Sequence, residues 1–184
     1  DSDGAYILLT SPGSAGQIMR VPAVAGGKTW TSEKLLNLLD PKEIKGVRRP
    51  ADGEGATVFF PTPQDGILST ADLTATMDDR TIVIVQRGGK AAAFDTDTGR
   101  TLWSAATPVN RVYDVDVAGS VLVIAGDMEI PAAGGGVADL QPIVQTIDAR
   151  TGKPLQRLSD VGGRTHWVRA SADGSTLLLG LDRA

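Results

Sequence analysis

Asp95-Thr96-Asp97-Thr98-Gly99 sets two carboxylates two residues apart ahead of a glycine, the opening spacing of a calcium loop. Such a loop needs a third oxygen ligand at its fifth place and glycine at its sixth. Here Gly99 is fifth and Arg100 sixth, so the ligand series stops short. A second stretch, "PAVAGGKT" (22–29), nearly forms a phosphate-binding loop with Gly27-Lys28-Thr29. Pro22 takes the place of that motif's first glycine and has no amide to offer a phosphate. The single histidine, His166, has Asp160, Ser171 and Asp173 near it in sequence, the residue types of a Ser-His-Asp relay, but no Gly-x-Ser-x-Gly elbow accompanies them. Asp127 precedes, and Glu129 and Asp139 lie within, a Gly- and Pro-rich excursion, "MEIPAAGGGVADLQP" (128–142). They can gather round a cation, meet a partner or simply keep a loop in water.

Composition narrows the choice. The chain has 184 residues, 41% of them apolar, which suits one ordinary domain with a core. Its formal charge of -4 opposes general nucleic-acid binding, which needs clustered Lys and Arg against phosphates. The one basic knot, Lys45 to Arg49, reads as a solvated loop. There is no cysteine, hence no disulfide, thiolate metal site or cysteine nucleophile within the chain. No apolar run approaches the roughly 18 residues that span a bilayer, and Asp1-Ser2-Asp3 has none of the features of a signal peptide.

The elements that would position these residues form a repeat. Short apolar runs, Tyr6 to Leu9, Ile82 to Val85, Val121 to Ile124 and Leu177 to Leu179, follow turns at Asp3-Gly4, Asp78-Asp79, Ala118-Gly119 and Asp173-Gly174. "VYDVDVAGSVLVIAGD" (112–127) aligns without a gap on "WVRASADGSTLLLGLD" (167–182), an offset of 55. "FDTDTGRTLW" and "IDARTGKPLQ" share Asp-x-x-Thr-Gly: Asp95 matches Asp148, Thr98 matches Thr151 and Gly99 matches Gly152, each 53 apart. A degenerate copy, "VPAVAGGKTW", puts Pro22, Ala25 and Gly26 at the same places and Trp30 where Trp103 stands. Asp97 of the calcium-like stretch becomes Arg150 in the second copy, a cation in the place of a ligand. What survives is what a strand-to-strand turn needs: an acceptor side chain, a second one from Thr, and a glycine that tolerates positive φ. Trp103 then lies on the outer strand, covering the neighbouring sheet.

The unit is strand, Asp-Gly turn, strand, strand, Asp-x-x-Thr-Gly turn, strand. Turn starts at 3, 78, 118 and 173 give spacings of 75, 40 and 55, the smallest near the ~40 to 45 residues of a four-stranded propeller blade. The fold expected is therefore all-β, a β-propeller of four-stranded antiparallel blades with about three and a half to four blades present. A partial blade is expected over 1–30, an inserted loop over 31–70, blades over 71–110 and 111–160, and a partial blade over 161–184. Within the first insertion, "TSEKLLNLLDPKEI" offers Ser32 as an N-cap, Leu35, Leu36, Leu38 and Leu39 as a stripe and Asp40-Pro41 as a stop, predicting a short helix. A four-bladed ring of 46 residues per blade (184 divided by 4) fits the arithmetic but not the insertion, so a longer chain is the expectation.

"AAAFDTDTGRTLW" (91–103) resembles the repeat of the pyrroloquinoline-quinone-type β-propellers, shared by quinoprotein alcohol dehydrogenases and a non-enzymatic propeller lipoprotein of the outer-membrane assembly machinery. "RASADGSTLLLG" (169–180) is similar to the turn of WD40-like and YVTN-type propellers. The resemblance implies six to eight blades in a ring and a periplasmic or extracellular setting in bacteria. For a quinone enzyme it also implies a vicinal cysteine pair, an acidic calcium set and a stacking tryptophan; the cysteines are absent here. The function expected is a non-catalytic scaffold that binds a protein partner, or the remaining blades of its own chain, through its face and through the loops at 31–70 and 127–142, with Asp127, Glu129 and Asp139 on the second. The alternative is part of a quinoprotein dehydrogenase using pyrroloquinoline quinone and calcium; a lactonase-like hydrolase stands third. No catalytic, cofactor or metal residue is assigned. Asp95, Thr98, Gly99, Trp103, Asp148, Thr151, Gly152, Asp173 and Gly174 are expected to be structural turn residues.

Overall fold

In the computed structural model, the described residues are 4–9, 17–22, 27–32, 73–131 and 139–182, with side chains from residue 17 onward. They form thirteen strands in four antiparallel sheets, with no helix among them. The first sheet joins β1 (Gly4–Leu9), β2 (Gln17–Pro22) and β3 (Trp30–Thr31). The second runs β4 (Leu73–Met77), β5 (Thr81–Gln86), β6 (Lys90–Asp95) and β7 (Thr101–Ala106) in chain order. The third repeats that meander with β8 (Arg111–Ala118), β9 (Val121–Ile130), β10 (Asp139–Asp148) and β11 (Pro154–Leu158). The fourth pairs β12 (Arg164–Ala170) with β13 (Leu177–Asp182). This is the architecture of a partial β-propeller. All four apolar runs of the sequence repeat lie in β1, β5, β9 and β13.

The sheets stack face to face, and this explains why the second strands read as unbroken apolar runs instead of alternating ones. In β5, Ile82 and Ile84 turn toward the first sheet and pack with Ile18, Ala92, Phe94 and Trp30. Val83 and Val85 turn the other way and meet Val115, Val117, Leu122 and Ile124 of the third sheet. In β9 the roles repeat one sheet along: Val123 and Ala125 pack with Val168, Leu177 and Leu179 of the fourth. Each strand alternates its side chains between two neighbours, and both neighbours are apolar.

The helix predicted from residue 33 onward lies outside the described residues. Its expected N-cap, Ser32, is described and also serves the first sheet. Ser32 Oγ accepts the Ile18 amide at 2.9 Å, and the Ser32 amide donates to the Ile18 carbonyl at 2.8 Å. Ser32 thus continues the β2–β3 pairing, a use of the hydroxyl that sequence spacing does not disclose.

Tryptophan and glycine lock one sheet to the next. Trp30 Nε1 donates to the Thr96 carbonyl at 3.0 Å, inside the Asp-x-x-Thr-Gly turn of the second sheet. Trp103 Nε1 donates to the Ala149 carbonyl, the matching position of the third, at 2.7 Å. The rings lie over Gly99 and Gly152: a Cβ on Gly152 would sit 2.8 Å from Trp103 Cδ2, and one on Gly99 would overlap the six-membered ring of Trp30. Both glycines have positive φ, 69° and 71°. Glycine is therefore required twice over, by the backbone and by the ring resting on it. Gly99→Val should lower stability by about 3 kcal/mol or more, through overpacking and a disfavoured φ. Asp97→Ala, at an exposed carboxylate, should stay within about 0.5 kcal/mol. Urea unfolding of the two variants checks the order, and a larger loss for Asp97→Ala would return the stretch to a metal-loop reading.

Candidate functional site

The turn carboxylates are occupied by their own turns. Asp95 Oδ1 accepts the Thr98 hydroxyl at 2.7 Å, the Thr98 amide at 2.8 Å and the Asp97 amide at 3.1 Å. The Thr98 hydroxyl foremost, and then these amides, hold Asp95 below the usual carboxylate range against the opposing effect of burial. At Asp148, burial acts upward but is outweighed by Thr151 and by the amides of Thr151 and Arg150, so it too is lowered. Asp173 Oδ1 takes the Ser171 hydroxyl at 2.6 Å, and Ser175 gives it both its amide and its hydroxyl. That set, Ser171 first, brings Asp173 to about 2. The Gly174 amide closes the same turn on the Ser171 carbonyl at 2.7 Å. Among the described residues no three Asp, Glu or His side chains converge as metal ligands.

The other sequence motifs are not assembled into sites either. Pro22 ends β2, and Gly27 to Thr29 lead into β3, where a phosphate-binding loop would open a helix. His166 Nε2 contacts Asp182 Oδ2 across the β12–β13 ladder, while Ser171 gives its hydroxyl to Asp173. The three members of a Ser-His-Asp relay are thus spent on separate contacts.

The excursion after β9 is where the structure brings polar chemistry together. Asp127, Glu129 and Asp139, expected on a loop, lie on strands instead: Asp127 and Glu129 on β9, while Asp139 opens β10. The β8–β9 ladder ends at the pair Arg111 and Asp127, whereas β9 and β10 stay paired out to Ile130 and Asp139. Residues 128–130 and 139–141 therefore project past β8 as a two-stranded ribbon, with residues 132–138 outside the described set.

Asp127 sits at the ribbon's base, 1% exposed. Its Oδ2 accepts a short hydrogen bond from the Tyr113 hydroxyl and lies 4.0 Å from the Arg164 guanidinium of β12, while Oδ1 is buried with no hydrogen-bond partner among the described residues. Tyr113 is the extra residue of a β-bulge between Val112 and Asp114, which turns its ring off the regular ladder toward Asp127. Burial first, and then the Asp127 carboxylate, push the Tyr113 phenol above its ordinary range. Arg164 lies 5.6 Å over the Tyr113 ring, within cation–π reach. One step along the ribbon, Arg111 Nε is 3.8 Å from Glu129 Oε1, and Asn110 Oδ1 accepts the Glu129 amide at 2.9 Å. Arg157 of β11 reaches the Met128 sulfur at 3.8 Å. Contacts from β8, β11 and β12 thus hold the base of the ribbon, and its last described ladder pair, Ile130 and Asp139, carries the exposed Ile130.

No family model matches the chain, and no curated protein does so either. Solved structures similar to it include BamB from Moraxella catarrhalis, at 21% identity over 59% of this chain and 30% of that one, with a TM-score of 0.42. A europium-containing methanol dehydrogenase aligns over 89% of this chain and 24% of its own at 12% identity, TM-score 0.47. The quinohemoprotein alcohol dehydrogenase ADHIIG of Pseudomonas putida HK5 aligns over 88% and 20% at 18% identity, TM-score 0.46. The chain spans less than a third of the length of each.

Sequence reasoning passed over Tyr113, Arg164, Asp114 and Asp116. The last two lie on β8, and their Oδ2 atoms accept the β12 amides of Val168 at 3.0 Å and Ala170 at 2.7 Å. Asp114 also receives the Arg169 guanidinium at 2.7 Å. The signal was present as Asp-Val-Asp inside an otherwise apolar strand, acids at alternate positions facing one side. Tyr113→Phe leaves a buried carboxylate short of its donor and should cost about 1–3 kcal/mol in urea unfolding. A change under about 0.5 kcal/mol would show that the ribbon's base does not depend on this bond.

Proposed function

We propose that the chain is a non-catalytic β-propeller segment that serves as a protein-binding or assembly scaffold, with the β9–β10 ribbon as its recognition element. The observation that carries this reading is the ribbon itself: a paired extension beyond its own sheet, pinned at its base by Asp127, Tyr113 and Arg164, with an exposed aliphatic residue and acids along it. A rigid base removes most of the ordering cost that a flexible loop would meet on binding. Among the described residues, the polar groups at its base are engaged in holding the ribbon. Asp139 and Glu129 near the tip would meet donors on the partner, with Ile130 as the apolar anchor.

Replacing residues 128–140 by a two-residue hairpin turn tests the reading. The shortened protein should keep a cooperative melt within a few degrees of the parent and should lose capture of any partner that the parent retains from the cells that make it. Equal capture by both proteins would remove the ribbon from recognition.

A further inference from the structure

A two-stranded ribbon that runs past its own sheet has two edges, and a bare edge is a template for strands of other chains. Along each strand the backbone N–H and C=O groups point alternately to the two sides, so residues two apart share an edge. On β9 the Asp127 carbonyl accepts the Asn110 amide at 2.8 Å, which puts 127, and with it 129 and 131, on the side of β8. Pro142 of β10 stands opposite Asp127 in the ladder. Because Asp127 turns its backbone away from β10, Pro142 turns its own away from β9, to the side on which Val144 meets β11.

On each edge the donors that an added strand would need are occupied or missing. Past the end of the β8 ladder at Arg111, the next amide on that side of β9 belongs to Glu129, and Asn110 Oδ1 accepts it at 2.9 Å. The position after that is Pro131, exposed and without an amide. On the other edge the β11 ladder ends at Val144 and Leu158, and the next position outward is Pro142, again without an amide. Beside it Gln141 Nε2 donates to the Ser159 carbonyl at 3.3 Å, just past the end of β11. Proline is tolerated in a ladder only where its nitrogen faces no partner. The two prolines that border the excursion thus fall one on each edge.

We propose that Asn110, Pro131 and Pro142 close both edges of the ribbon to strand addition, and so keep it from pairing edge to edge with a second copy or with an extended segment of another protein. Tyr113, Asp127 and Arg164 hold the base, so the edges are presented already extended, the form that an added strand requires. A ribbon held in this way needs closed edges more than a loop does. Where the ribbon meets a partner, as proposed above, the contact is then made by side chains on its faces and not by main-chain pairing. The closure of the edges does not itself rest on that reading.

The test is sedimentation velocity across a concentration series on the parent chain and on a variant carrying Asn110→Ala, Pro131→Thr and Pro142→Thr together. These changes free or restore one donor at each place, using a polar strand former at the two prolines. The opened variant should associate about tenfold or more tightly than the parent, the gain expected of a few added main-chain hydrogen bonds. Hydrogen exchange should show the Glu129 amide and those at positions 131 and 142 gaining protection as its concentration rises. Adding Ile130→Ser should leave that association in place, because main-chain pairing does not use the aliphatic side chain. Circular dichroism melts confirm folding; if the triple variant melts below the parent, Pro131→Thr with Pro142→Thr takes its place. Association no tighter than the parent's would overturn the proposal, as would association that Ile130→Ser abolishes. Neither result bears on partner binding by the ribbon, which the hairpin replacement tests by itself.

Discussion

A sheet that is apolar on both faces cannot bury itself. Every other feature of this structure follows from that constraint, because β5, β6, β9 and β10 carry their aliphatic side chains alternately toward the sheet before and the sheet after. Hydrogen-bonded ladders hold each meander together, yet they say nothing about how one meander sits on another. That relation is set by side chains: Ile and Val between sheets, Trp30 and Trp103 reaching forward to a turn carbonyl, and Asp114 and Asp116 bonding the amides of the next first strand. Repeat proteins behave as nearest-neighbour chains for this reason, each unit stabilised by the interfaces it makes.

Much of this was legible in the residues. The spacing of Asp95, Thr98 and Gly99 against Asp148, Thr151 and Gly152 identified a turn because the second copy discarded Asp97, and in the structure the surviving acids bond their own turns. The runs Ile82 to Val85 and Val121 to Ile124 mark the second strands of the two four-stranded sheets, since β-branched residues without alternation suit a strand covered on both sides. Trp103 was placed on an outer strand facing the neighbouring sheet, but its docking on Gly152 was not foreseen, because a contact between residues 49 apart in number (152 minus 103) leaves no local trace.

The ribbon's base was the least legible part. Gly and Pro between 131 and 136 marked an excursion, and acids at its borders suggested solvent. In fact β9 and β10 remain strands well past the end of β8, and Asp127 is buried because the bulge at Tyr113 and the start of β12 converge on it. A bulge adds one residue without a sequence signature, and Arg164 comes from a different sheet. Both are tertiary facts. They also give the surface its character, since a buried charge held by a phenol and a guanidinium orients a ribbon more firmly than loop residues could.

Hydrogen exchange on the intact chain measures the stacking account most directly. If burial between sheets governs stability, the amides of β5, β6, β9 and β10 should exchange slowest, by the global unfolding route, and those of the exposed strand β11 should exchange faster by about two orders of magnitude or more. Protection of β11 equal to that of β9 would contradict the account, for it would show that a strand facing solvent is as stable as one buried between sheets.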